Sequence, residues 1–133
     1  MKFSTRTTYG LRAMINLARR SGNESVSLTM IAKSEGISLK YLERLFSDLK
    51  KAGLIKSEIG AGGGYKLAKS AKMITVHDIV RALEGEIAPF HCLSSDGKIN
   101  CSVKCKCGAS IVLVKVQKAM KKTLKSIKLS ELL

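Results

Sequence analysis

The chain has no tryptophan, a single proline, only two histidines, and ten acidic residues against 24 lysines and arginines. Each shortage excludes something. Two histidines and no cluster of carboxylates leave little acid–base machinery, which argues against an enzyme. Long apolar runs are missing: no stretch approaches the roughly 18 residues of a membrane span. The N-terminal segment is amphipathic and carries Arg12, Arg19 and Arg20, unlike the apolar centre of a secretory signal. A cytoplasmic protein is therefore expected, with no membrane-spanning role. The scarcity of acid leaves a formal net charge of +14. An excess of that size points to a polyanionic partner, either nucleic acid or an anionic membrane surface. What is present is ordinary for a folded chain: 133 residues and 45% apolar content support one core of useful size.

The stretch Ile37 to Tyr65 organises the rest. Leu42, Leu45, Phe46 and Leu49 recur at helical spacing and predict one buried stripe. Ser38 stands at the N-cap, with Ile37 and Leu42 placed as a hydrophobic staple. The opposite face carries Lys40, Tyr41, Arg44, Lys50 and Lys51. Gly53 ends the helix. Leu54, Ile55 and Ile59 suit a short strand, and Gly60 to Gly64 form a turn nearly free of side chains, able to approach a phosphate closely. Ahead of this unit, residues 6 to 20 predict a helix with Leu11, Met14, Ile15 and Ala18 inward. Ser27 then caps a short helix with Met30, Ile31 and Ala32 on its apolar side, and Gly36 closes it. Short helix, tight glycine turn, longer basic helix and hairpin together outline a winged helix-turn-helix. The alternative is a plain surface helix and hairpin; the charge favours a DNA-binding surface.

Thr75 begins a further helix, with Asp78 placed for a capping box and Val76, Ile79, Val80 and Leu83 inward. His77 lies on this helix and reads as a surface residue. Residues 86 to 107 differ in character: they hold Pro89 and all four cysteines, spaced Cys92-x8-Cys101-x3-Cys105-x-Cys107. Thiolates suit zinc or iron–sulfur clusters, and tight C-x2-C pairs typical of structural zinc are missing. The competing readings are reactive or buried thiols without metal, or a disulfide, and a metal centre is the better fit for a cytoplasmic chain. His91 adjoins Cys92 and is a poor candidate ligand. From Gly108 to Ser126 helical spacing returns through Leu113, Val116, Met120, Leu124 and Ile127, with five lysines between. Such a broad apolar face needs a partner surface, either its own domain or the same helix of a second subunit, and the second is expected.

With wing and cysteine loop together, the chain resembles the Rrf2 family of bacterial transcription regulators over essentially its whole length. MKFSTRTTYGLRAM resembles the family's opening, ISLKYLERLFSDLKKAGLI its recognition helix, GAGGGYKL its wing and IKLSELL its last segment. The resemblance implies a mainly α fold with a small β-hairpin: a winged helix-turn-helix over 1–85, a cluster-binding loop over 86–107 and a dimerisation helix and tail over 108–133. It implies a homodimer on a palindromic double-stranded DNA operator, with DNA contacts from Ser38, Lys40, Tyr41, Glu43, Arg44, Gly62 and Gly63. A dimer interface is expected through Val112, Val116, Ala119 and Met120. By motif position Cys92, Cys101 and Cys107 match the family's cluster ligands, with Cys105 as an added thiol, and the cluster is a 2Fe–2S or 4Fe–4S type. The chain departs from the family where Ser110 replaces a histidine after the third cysteine, Thr8 replaces an aspartate, and Ile59 replaces an arginine before the glycine run. The expected function is a transcription regulator whose operator binding follows redox, nitric oxide or iron status. The alternatives are the same head with a zinc site or a thiol switch, or a nucleic-acid-binding module that senses nothing.

Overall fold

The computed structural model describes residues 3–88, 93–94, 96–99 and 108–133. Among these residues are five α-helices: α1 (Thr5–Arg20), α2 (Leu28–Glu35), α3 (Leu39–Lys51), α4 (Val76–Glu84) and α5 (Gly108–Ser126). An antiparallel hairpin, β1 (Ile55–Glu58) and β2 (Gly64–Leu67), pairs Ile55 with Leu67 and Glu58 with Gly64. Short 3-10 turns follow at Ala71–Met73 and Leu129–Leu132.

Local chemistry sets most boundaries. Ser27 accepts from the Met30 N–H at 3.2 Å, and Ser38 accepts from the Tyr41 N–H at 3.1 Å. Each satisfies an amide that the first helical turn cannot. Thr75 and Asp78 form a reciprocal capping box. Gly36 and Gly53 have φ of 66° and 77°, the left-handed region that glycine enters without penalty. Around them the Ile37 N–H reaches the Ala32 carbonyl and the Leu54 N–H the Leu49 carbonyl, closing both helices with a returning hydrogen bond.

Helices α1 to α4 and the hairpin enclose one core. Leu42, Leu45, Phe46 and Leu49 are each 0% exposed, as the helical spacing predicts. The staple pairs Val26–Ile31, Ile37–Leu42 and Ile74–Ile79 are all buried. Phe46 meets Tyr65 edge-on, with ring centres 5.1 Å apart. Gly10 gives α1 its close approach to α4: a Cβ there would lie 2.1 Å from Leu83 Cδ1.

Four features differ from the sequence reading. In α1 the fully enclosed residues are Ala13, Met14 and Leu17, while Leu11, Ile15 and Ala18 are only half-buried. The stripe is rotated because α1 packs on α2, α3, α4 and β2 together, a wider surface than one apolar line. Met30 is exposed, since α2 is two turns long and only Ile31 and Ala32 reach inward. Ile59 lies beyond β1 and is wholly exposed at the wing. The C-terminal tail does not stand apart with α5. Leu129 is fully buried in the main core, its N–H bonded to the Ile74 carbonyl at 2.8 Å, and the Val76 N–H is bonded to the Ile127 carbonyl at 2.9 Å.

Candidate nucleic-acid interface

The reading helix is presented by its buried face. With Leu42, Leu45, Phe46 and Leu49 inward, Lys40, Glu43 and Arg44 are exposed on the far side of α3. Ser38 is exposed at its start, its oxygen accepting from the Tyr41 amide while its own proton remains to be donated. Tyr41 is half-buried. Its ring stands edge-on against Tyr9 at 5.9 Å, and the Arg12 guanidinium lies 5.6 Å from the Tyr9 ring centre. Tyr41 therefore reaches the surface from a fixed aromatic pair, whereas Lys40 and Arg44 extend from the helix unsupported.

Three ties fix α3 and α2 against the body of the head. Arg6 pairs with Asp48 of α3 and donates through Nε to the Leu83 carbonyl of α4 at 2.9 Å. Arg12 pairs with Glu35 at the end of α2 and also donates to its carbonyl. Asn16 is 8% exposed and donates to Ser34 Oγ at 3.0 Å and Glu35 Oε1 at 2.7 Å, while its own oxygen accepts from Arg20 Nε at 2.7 Å. Sequence reading missed this set. Its one signal is a polar residue, Asn16, among the apolar positions of α1.

The wing is attached with equal definition. Val26 and Tyr65 exchange backbone hydrogen bonds of 2.8 Å, an isolated β-bridge that ties the approach to α2 to the hairpin. Gly64 permits it, because a Cβ there would lie 2.3 Å from the Val26 oxygen. At Gly63 a Cβ would lie 2.5 Å from the Glu58 oxygen, so the turn excludes any side chain there; Gly62 faces open space. The glycine run is thus steric at Gly63 and Gly64 and unconstrained at Gly62. Lys66 and Ser25 both bond to Glu58, which holds that carboxyl below the usual range.

The four cysteines Cys92, Cys101, Cys105 and Cys107, together with His91, lie outside the described residues, and among the described residues no group of His, Cys, Asp and Glu could hold a metal ion. Leu93 is 3% exposed and bridges to Ile99. Asp96 accepts from the Lys98 amide and the Ser94 hydroxyl, and those bonds hold its carboxyl below the usual range. Gln117, 2% exposed on α5, donates to the Ile87 and Ser94 carbonyls, both at 2.9 Å. Its signal in the sequence was a lone amide on an apolar helix face. Ser110 sits in the first turn of α5 and Thr8 is exposed on α1. His77 on α4 is half-buried; desolvation and the nearby Lys125 push its pKa down.

On α5, Met120 does not stand with the other expected interface residues. It packs with Leu124 and Ile127 on Val76, Val80 and Ile87 of the same chain. Val112 and Ala119 are exposed and Val116 is half-buried. Three- and four-residue steps alone cannot separate these two neighbouring faces of one helix.

A helix-turn-helix with its reading face exposed, a wing pinned beside it and a basic surface together define a winged-helix DNA-binding transcription regulator. The model of the Rrf2 family, described as an iron-dependent transcriptional regulator, matches residues 3–133, and the chain belongs to that family. The protein rrf2 of Nitratidesulfovibrio vulgaris is 39% identical over 133 residues, covering 100% of this chain and 87% of that one. The regulator CymR of Bacillus subtilis is 47% identical over 96 residues, 72% of this chain and 70% of that one. The regulator IscR of Cereibacter sphaeroides is 46% identical over 93 residues, which are 68% of this chain and only 60% of that relative's length. Among solved structures, CymR, titled the global cysteine regulator of B. subtilis, superposes with a TM-score of 0.84 at 38% identity, covering 99% of this chain and 95% of that one. T. potens IscR superposes with a TM-score of 0.76 at 42% identity, covering 98% and 84%. These relatives are transcriptional regulators, not enzymes. No described helix is long and apolar enough to cross a membrane.

Proposed function

We propose that this regulator binds its operator as a homodimer and that its affinity is set by an iron–sulfur cluster held by Cys92, Cys101 and Cys107, with Cys105 as a fourth thiolate. The observation that carries the reading is the donor set: four soft thiols within residues 92–107, in a chain whose family description is iron-dependent. The frame beside them suits such a site. Leu93, the neighbour of Cys92, is buried, and Gln117 anchors the backbone on both sides of that pair to α5. When bound, a cluster adds sensitivity to oxygen, nitric oxide or iron supply.

The chain's own residues connect the loop to the reading helix. Gln117 joins α5 to Ile87, just past the end of α4. At that end the Leu83 carbonyl is held by Arg6, whose guanidinium also holds Asp48 of α3. A shift of the loop on α5 therefore bears on α3 through bonded groups. In a dimer it also alters the spacing of the two reading helices, which must match half-sites about one helical turn apart. Val112, Val116 and Ala119 supply the face for the second copy, and Lys40, Glu43 and Arg44 the contacts to bases and phosphates.

A second reading rests on the CymR relatives, one of them titled a cysteine regulator: the same head with a zinc site or a thiol switch instead of a cluster. Anaerobic purification with a visible spectrum and an iron and sulfide count separates the two. A coloured protein with matched iron and sulfide, lost in Cys92→Ser, Cys101→Ser and Cys107→Ser and only altered in Cys105→Ser, is expected. Colourless protein that binds DNA normally, or loses it only on thiol oxidation, supports the second reading.

A further inference from the structure

A groove runs between the start of α2 and the tip of the wing, with Arg20, Glu24, Ser27 and Met30 on one wall and Gly62 and Gly63 on the other. Its walls are held in register by the Val26–Tyr65 backbone pair, which ties the approach to α2 directly to β2. The wall at Gly62 and Gly63 has no side chains, so a bulky group can rest against backbone there.

Arg20 is the cation of this groove, and its pose is set from behind. Its Nε donates to buried Asn16, and its two Nη atoms point to Met30 Sδ at 3.2 Å and Ser34 Oγ at 3.4 Å. Arg6, Arg12 and Arg81 each hold a carboxylate, whereas no described ion pair includes Arg20. A guanidinium has five donors, and these three contacts leave two for a further acceptor. Neutral partners also leave its charge uncompensated. Glu24, exposed on the same wall, opposes an anion, so a phosphate in this groove has to sit toward Arg20 and the wing.

We propose that this groove seats the DNA backbone and that Arg20 contacts a phosphate there. The inference rests on the reading of α3 and the wing as the DNA-contacting elements. With α3 in the major groove and the wing at the adjacent minor groove, the strand that separates the two grooves passes between them. The hollow beside Gly62 and Gly63 lies on that path. A phosphate contact fixes register and adds affinity on any sequence, with no base readout.

The test is binding of a fluorescent random-sequence duplex to the full chain across a salt series. Arg20→Gln, Arg20→Lys and, for comparison, Arg44→Ala are measured beside the wild type, with thermal unfolding of each. Arg20→Gln is expected to weaken binding to this duplex several-fold and to reduce the slope of log K against log salt by about one ion, close to the roughly 0.9 per phosphate of duplex DNA. Arg20→Lys restores most of both. An unchanged affinity and slope in Arg20→Gln, while Arg44→Ala weakens binding, overturns the Arg20 contact and leaves the DNA-reading face intact. A loss that tracks a lowered melting temperature, with an unchanged slope and no rescue by lysine, makes Arg20 a support for Asn16 and also overturns it. Wild-type protein that fails to bind duplex DNA overturns both readings together.

Discussion

The Gln117 side-chain amide donates to the Ile87 carbonyl at 2.9 Å and, with its other proton, to the Ser94 carbonyl at the same distance. One buried amide thus ties the end of the α4 segment and the start of the 94–98 turn to the middle of α5. Replacing it with leucine keeps much of the volume, leaves the Ile87 carbonyl without this donor and the Ser94 carbonyl with the Gly97 amide alone, at a cost of about 1–3 kcal/mol. Gln117→Leu is expected to lower thermal stability and to speed hydrogen exchange at Gly97, the turn amide bonded to the Ser94 carbonyl. Unchanged protection there would show that Leu93 and Asp96 hold the turn without Gln117.

The wing depends on Gly64 in a different way. Its hypothetical Cβ meets backbone, the Val26 oxygen at 2.3 Å, and backbone has no rotamer with which to yield. Gly64→Ala is expected to break the Val26–Tyr65 pairing, destabilise the head by about 1–3 kcal/mol and weaken DNA binding through a displaced wing. Gly62→Ala faces open space and serves as the matched control, with stability near wild type. Equal melting temperatures for the two variants would mean that the strand pairing adapts around the methyl group.

These glycines show where sequence reading succeeds and where it stops. The helices of the head were legible because short-range chemistry fixes them: Ser27, Ser38 and Thr75 cap, Gly36 and Gly53 close, and the apolar spacing of α3 and α4 names the residues that are buried. The winged outline followed from that order. What stayed hidden depends on contacts between distant segments. Asn16, Arg20 and Gln117 look like ordinary polar positions until α2 or the loop is laid against them. Met120 shares its spacing with Val116, and only the placement of α4 assigns it to its own chain. Leu129 lies in the tail that the family resemblance groups with α5, yet it is buried in the main core. The cysteine pattern identifies chemistry, but spacing by itself does not choose among ligands.

The N-terminus of α1 supplies a pH-dependent prediction. Ser4, its N-cap residue, makes no side-chain cap bond to its own helix. Glu84 from α4 serves instead, accepting from the Ser4 amide at 3.1 Å, from the Ser4 hydroxyl and from Thr7 Oγ1 at 2.6 Å. Desolvation pushes the Glu84 carboxyl up, but the bonds from Ser4 and Thr7 outweigh it, so its pKa lies below the ordinary glutamate value. A carboxylate depressed in the folded state binds fewer protons than in the unfolded chain. Its contribution is therefore complete above the ordinary value of about 4.3 and is lost as pH falls through the folded value. Glu84→Gln is expected to cost about 1 kcal/mol at pH 7 as a lost cap, with the difference from wild type shrinking below pH 4. A gap that stays constant down to pH 3 would assign the effect to packing.

The last prediction separates the faces of α5. Val112, Val116, Ala119 and Thr123 follow one another at four- and three-residue steps, so they share one side of the helix. Leu113, Gln117, Met120 and Leu124 occupy the neighbouring side; Met120 and Leu124 meet α4 and Gln117 meets the loop. Lys115, Lys118, Lys122 and Lys125 fill the remainder. Each side gives a charged substitution its own consequence. Met120→Glu places a carboxylate against Val76 and Val80, so it is expected to destabilise the chain whether or not it dimerises. Val112→Glu meets nothing comparable among the described residues, where Val112 is 59% exposed. It is expected to leave the monomer folded and to raise the dimer dissociation constant by at least tenfold, read by sedimentation or light scattering, with loss of operator binding in parallel. Ala119→Glu, exposed on the same side, should behave alike. If both variants remain dimers with native operator affinity, the second copy does not pack on this stripe. The lysine-bearing side and the half-buried Leu11 and Ile15 of α1 then become the next surfaces to test.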